Sequence, residues 1–167
     1  LGNVDEASIY GLDLDAMWSP AALPGLDLVA GLGLLHTELG AFAASSGSVP
    51  KGNKLPDAPE VSFTASAAYS FDLGQDATGR LQVDGRYADD MFKDALNDPL
   101  IATDAYWVWN ARASVALPND WEIAVWGKNL ADEEYVTQGV NNLPLGFGFR
   151  VYGAPRTFGL TVSKAFQ

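Results

Sequence analysis

The last stretch of the chain alternates strictly. Phe158, Leu160, Val162, Lys164 and Phe166 stand at every second position, with Gly159, Thr161, Ser163 and Ala165 between them. A period of two marks a β-strand, whose successive side chains point to opposite faces. Mostly large apolar residues on one face and small or hydroxylic ones on the other suit a sheet with lipid or a core outside and a wet or plugged interior inside.

Six earlier segments repeat the pattern. The first runs from Val4 to about Trp18, with Ser8, Tyr10, Leu12, Leu14, Ala16 and Trp18 on one face and Asp13 and Asp15 on the other. The second places Leu26, Leu28, Ala30, Leu32 and Leu34 outward. The third is the cleanest, with Val61, Phe63, Ala65, Ala67, Tyr69 and Phe71 alternating with Ser62, Thr64, Ser66, Ala68 and Ser70. The fourth sets Leu81, Val83, Gly85 and Tyr87 against Arg80, Gln82, Asp84 and Arg86. Trp107, Trp109, Ala111, Ala113 and Val115 form the outer face of the fifth, and Trp121, Ile123, Val125 and Gly127 that of the sixth. Their inner faces carry Asn110 and Arg112, then Glu122 and Lys128. Asp13, Asp15, Asp84, Arg86, Asn110, Arg112, Glu122 and Lys128 thus read as a mixed-charge inner wall, which needs water or a polar filling because unpaired charge is costly in a dry core.

Connection length then sets the topology. Short links (Ser19 to Gly25, Asp72 to Gly79, Pro118 to Asp120) alternate with long ones (Leu39 to Pro59, Asp89 to about Thr103, Ala131 to Ala154). Outer-membrane β-barrels show this asymmetry, with short turns in the periplasm and long loops outside. Tyr10, Trp18, Phe63, Tyr69, Phe71, Tyr87, Trp107, Trp109, Trp121, Phe158 and Phe166 all fall on the outward face, as interfacial aromatic girdles require. A soluble antiparallel sandwich is the alternative, and it accounts less well for the polar inner faces. Single-chain bacterial barrels have an even strand number with both ends periplasmic. Seven strands ending in the periplasm are therefore expected to continue a longer chain, entered just after an extracellular loop.

Composition narrows the function classes. The chain has 167 residues, 48% of them hydrophobic, yet its mean hydropathy is only +0.01 and no apolar run approaches the ~20 residues of a membrane helix. Cysteine is absent, which excludes disulfides and thiolate metal sites. A net charge of -11 argues against nucleic acid, which needs a basic patch. No secretory leader precedes Leu1, as expected if that segment was removed or was never part of this piece. The single histidine, His36, closes the second strand, where an interfacial role is expected rather than a metal one. Asp132, Glu133 and Glu134 read as a solvated loop, and no phosphate loop, nucleophile elbow or zinc helix motif is present. No catalytic residue, metal site or cofactor is expected.

Four motifs in order carry a family resemblance: Gly11-Leu12-Asp13-Leu14-Asp15 followed by Trp18-Ser19-Pro20; Gly52-Asn53-Lys54-Leu55-Pro56-Asp57-Ala58-Pro59; Lys128-Asn129-Leu130-Ala131-Asp132-Glu133-Glu134-Tyr135; and Gly153-Ala154-Pro155-Arg156-Thr157-Phe158-Gly159-Leu160. Together they resemble the C-terminal part of TonB-dependent outer-membrane receptors of the siderophore-receptor type, over essentially the whole chain. The resemblance implies an all-β, antiparallel up-and-down transmembrane barrel of about 22 strands around a plug, of which these are the last seven. It implies outer-membrane lipid, the rest of the barrel, the plug, the TonB system and a transported ligand as partners. The expected function is import of a scarce nutrient such as a ferric siderophore, the alternative being a small non-transporting barrel with a structural or adhesive role.

In that family the ligand sits between plug and loops. The candidates for contacting it are Tyr135, Gln138, Asn141, Asn142, Phe147, Phe149, Arg150 and Tyr152 of the last loop, since aromatics beside an arginine suit an anionic or aromatic ligand. The eight inner-wall residues named above are expected to face the lumen and plug. Asn129 and Asp132 are expected to cap backbone freed where a strand leaves the membrane, and Pro155 to fix the return. The terminal aromatic pattern also resembles a barrel-assembly signal, departing from it at Lys164 and Gln167.

Overall fold

The structure, a computed structural model, describes residues 6–44, 47–142 and 145–166. Within them lie β1 (Ala7–Trp18), β2 (Leu26–Leu39), β3 (Phe42–Ala44), β4 (Gly47–Val49), β5 (Val61–Gly74), β6 (Ala77–Ala88), β7 (Tyr106–Leu117), β8 (Trp121–Lys128), β9 (Val136–Asn142), β10 (Phe147–Tyr152) and β11 (Thr157–Lys164). Seven of them build one antiparallel sheet in the order β1-β2-β5-β6-β7-β8-β11. These are the seven segments marked by the alternation. Val4, where the first was expected to begin, and Gln167 lie outside the described residues.

The register carries the two-faced pattern from strand to strand. On the apolar face Leu14 lies opposite Leu32, Leu32 opposite Phe63, Phe63 opposite Tyr87 and Tyr87 opposite Trp107. The neighbouring rung on the other face reads Asp15, Gly31, Thr64 and Arg86. Because the period is two, a slip of one residue would exchange the two faces, putting polar or small residues where the large apolar ones stand. Glycines on this sheet stand beneath large rings: Gly85 lies opposite Trp109 and Gly159 opposite Trp126, and the ring covers the space a Cβ would need. Near the loop end, Phe63, Tyr87, Trp107 and Trp109 form a continuous aromatic run with centroid separations of 5.1 to 5.9 Å.

Three expectations are corrected. β2 continues to Leu39, past His36 where it was expected to close, and carries His36 outward to stack on Tyr10 at 4.7 Å. The link expected over Asp72 to Gly79 shrinks to Gln75-Asp76, both at positive φ (54° and 59°), with Asp72 Oδ1 accepting from the Gly74 amide at 2.6 Å. A primed turn of this kind matches the twist of its flanking strands, so pairing reaches closer to the tip. The first and last long loops also have structure of their own, the hairpins β3–β4 and β9–β10.

A single sheet buries little by itself. The buried apolar side chains Leu39, Val49, Met91, Ile101 and Val136 gather at the long-loop end, with Thr37, Thr103 and Asn129 among them. The three long connections pack there on one another and give the fold its small core.

Candidate functional site

The second long loop, between β6 and β7, is held from both sides. On one side Asn97 Oδ1 accepts from the Lys54 amide at 2.7 Å and its Nδ2 donates to the Lys54 carbonyl at 2.9 Å, while Asn53 Nδ2 donates to the Ala95 carbonyl at 2.8 Å. Lys93, with only 6% of its side chain exposed, pairs with Asp57 at 2.7 Å. On the other side Thr103 Oγ1 accepts from the Val136 amide at 3.0 Å, and Ile101 packs against Gly139. The Met91–Thr103 bridge pins the base of this loop.

Between the second loop and the β9–β10 hairpin lies a cleft of about 490 Å³ lined by Leu100, Ile101, Val140, Asn141, Gly148, Phe149, Arg150 and Tyr152. Its polar groups are held in place. Asp98 Oδ2 accepts from Asn141 Nδ2, and Asp98 Oδ1 accepts from the Leu100 amide at 2.8 Å. The Leu100 carbonyl in turn accepts from Arg150 Nε, leaving both terminal guanidinium nitrogens without a hydrogen bond to the described residues. A fixed guanidinium beside exposed aromatic rings can take an anionic oxygen in bidentate fashion and stack a planar group.

Four of the eight ligand-contact candidates meet in this cleft: Asn141, Phe149, Arg150 and Tyr152. Gln138, Asn142 and Phe147 lie on the same hairpin but outside the cleft. Tyr135 stands apart, stacked on Tyr106 at 4.3 Å with its ring against Gly153. Sequence reasoning missed the opposite wall, Leu100 and Ile101, and the tether Asp98. The Asp94-to-Asp98 spacing was the available signal, since the Asp98 amide donates to Asp94 Oδ1 in a local turn.

The eight inner-wall candidates share the polar face. Asn110 Nδ2 donates to Asp84 Oδ2 at 2.7 Å, Arg112 pairs with Glu122, Arg86 reaches the Tyr106 hydroxyl at 3.4 Å, and Lys128 lies over the Trp126 ring at 5.4 Å. Asp13 and Asp15 lie against the bare backbone of Gly33 and Gly31, opposite Ser62 and Thr64. The Arg112–Glu122 pair has both side chains 39% exposed. Exposed pairs contribute up to about 1 kcal/mol, so Glu122→Gln is expected to change unfolding free energy by no more than about that, read by urea titration in micelles.

Asn129 governs the exit of β8 and is 3% exposed. Its Nδ2 donates to the Glu133 and Ala154 carbonyls at 2.9 and 3.1 Å, and its Oδ1 accepts from the Glu133 amide at 2.9 Å. Asp132 Oδ1 accepts from the Arg156 amide at 2.8 Å. These are the capping roles expected of the two residues.

A sheet of long antiparallel strands with one apolar face, one polar face, tight turns at one end and packed loops at the other is the wall of a membrane β-barrel. The chain belongs to the TonB-dependent receptor family: the family described as TonB dependent receptor-like, beta-barrel, matches residues 1–130. Among solved structures it is similar to the ferric yersiniabactin uptake receptor FyuA from Yersinia pestis, with a TM-score of 0.80 at 19% identity over 96% of this chain and 24% of that one. It is also similar to the siderophore receptor PiuA from Acinetobacter baumannii, with a TM-score of 0.72 at 20% identity over 97% of this chain and 22% of that one. The chain thus spans about a quarter of the length of these receptors, and the likeness is one of fold.

Proposed function

We propose that the chain is the C-terminal wall of an energy-coupled outer-membrane receptor that imports a scarce nutrient, a ferric siderophore or similar iron complex. The observation that carries this reading is the cleft in which Arg150, tethered through Leu100, stands beside Phe149 and Tyr152. Such a site favours an anionic ligand with a planar group. The mixed-charge inner face then lies against the plug, through which the TonB system supplies energy. Support comes from the family match and from the two solved structures, one a ferric yersiniabactin uptake receptor and the other a siderophore receptor. No specific observation favours the small-barrel alternative.

Binding of radiolabelled iron complexes to cells bearing the complete receptor tests the reading. One charge-assisted hydrogen-bonded contact contributes roughly 1.5–3 kcal/mol. Arg150→Met is therefore expected to weaken binding of the cognate complex at least about tenfold, with receptor abundance in the outer membrane unchanged. Failure of the wild-type receptor to bind any complex in a panel of ferric catecholates, hydroxamates and carboxylates would overturn the proposal.

A further inference from the structure

The apolar face of the seven-stranded sheet carries one cation among its described residues, Lys164. The other charged side chain on that face, Glu38, lies at the long-loop end. Lys164 ends β11 opposite Trp121, the residue that follows the tight turn at Asn119-Asp120. An ammonium on a lipid-facing position is strongly disfavoured at mid-bilayer and tolerated near the interface, to which its long stem lets it snorkel.

The ammonium is also gripped. Lys164 Nζ lies 5.2 Å from the Trp121 ring centroid and 5.3 Å from that of Phe166. No described carboxylate lies within ion-pair distance of it. The rings hold the charge by cation–π attraction while its three N–H donors keep no described acceptor. The tight turns at this end carry Asp72, Asp76 and Asp120, and Arg80 near them lies on the polar face, so among the described residues the cation that an anion meets on the apolar side of this rim is Lys164.

We propose that Lys164, clamped by Trp121 and Phe166, binds the phosphodiester of an anionic phospholipid of the phosphatidylglycerol type. The ammonium donates to the phosphate oxygens, and the two rings cover the glycerol and upper acyl carbons. The site fixes the depth of the last strand in the leaflet on the tight-turn side. It rests on the membrane location proposed above, which outer-membrane fractionation reads separately.

Native mass spectrometry of the complete receptor in detergent tests the site, with phosphatidylglycerol and phosphatidylcholine of identical chains as probes. Wild type is expected to retain phosphatidylglycerol roughly fivefold better than phosphatidylcholine, Lys164→Met to lose that preference, and Lys164→Arg to keep most of it. Equal retention of phosphatidylglycerol by wild type and Lys164→Met overturns the site, as does full displacement by millimolar inorganic phosphate, which would mark a phosphate-ion site. Should Lys164→Met not assemble, a phosphatidylglycerol with a photoreactive headgroup decides on wild type. Label on the peptides of β8 or β11 supports the site, and label confined to other strands overturns it. A receptor that fractionates with the outer membrane yet shows no headgroup preference sinks this site alone, leaving the import function standing.

Discussion

Asn129→Ala is expected to cost about 3–4 kcal/mol of unfolding free energy, the largest single loss expected among the described polar positions. Three side-chain hydrogen bonds vanish, to the Glu133 amide and to the Glu133 and Ala154 carbonyls, each contributing about 1 kcal/mol. The backbone there has φ +49°, a left-handed geometry that asparagine tolerates and alanine adopts at a cost of roughly 1 kcal/mol. Asn129→Asp keeps the acceptor for the Glu133 amide but sets a buried carboxylate oxygen against the Glu133 and Ala154 carbonyls, so it is expected to cost at least as much as alanine. Urea unfolding of the refolded receptor in vesicles reads the series. A loss under about 1 kcal/mol for alanine would mean that the exit of β8 is held by something else. Because Asn129 ties that exit to the returning chain at Ala154, the variant is also expected to loosen residues 131–154 and weaken ligand binding through Arg150.

The second large effect sits at the opposite end. Gly25 has φ +89°, and a Cβ there would lie 2.1 Å from the carbonyl oxygen of Ser70, whose amide donates to the Gly25 carbonyl at 2.8 Å. Gly25→Ala is expected to cost about 2–5 kcal/mol, roughly 1–2 from the left-handed backbone and 1–3 from the overlap with a backbone that is itself paired. Gly74 isolates the first contribution: its φ is +77°, but nothing lies within 4 Å of its would-be Cβ. Gly74→Ala should therefore cost only about 1–2 kcal/mol. Comparing the midpoints at which the folded band is lost on heating separates them, and equal losses would refute the steric contribution at Gly25.

The membrane-facing half of the fold was legible because a sheet wall writes itself into sequence at a fixed period. Ser62 to Phe71 and Phe158 to Phe166 announce both their faces, and the contrast of short with long links orders the meander. Asn129 and Asp132 were legible too, since their side chains act within a few residues or on the adjacent return. The hairpins inside the loops were harder. Phe42–Ala44 is too short to show a period, but Phe147, Phe149 and Val151 alternate and carried a usable signal. Beyond the Asp94-to-Asp98 turn signal, the far wall of the cleft was not legible. Leu100 and Ile101 come from a loop with no periodicity, and Asp98 meets Asn141 across 43 positions of chain.

The way the second loop is wedged between its neighbours bears on how such a receptor would change what it recognises. Arg150 and Asn141 take their orientation from Leu100 and Asp98, and that loop is itself held through Asn97 by the Lys54 backbone. A transplant of residues 131–154 into a related barrel would arrive without its tethers, its arginine free to sample many rotamers and to lose that freedom at each encounter. On the function proposed above, recognition is expected to be inherited in blocks: the segments around Lys54, Asp98 and Arg150 are expected to need exchange together for a new specificity to come across intact.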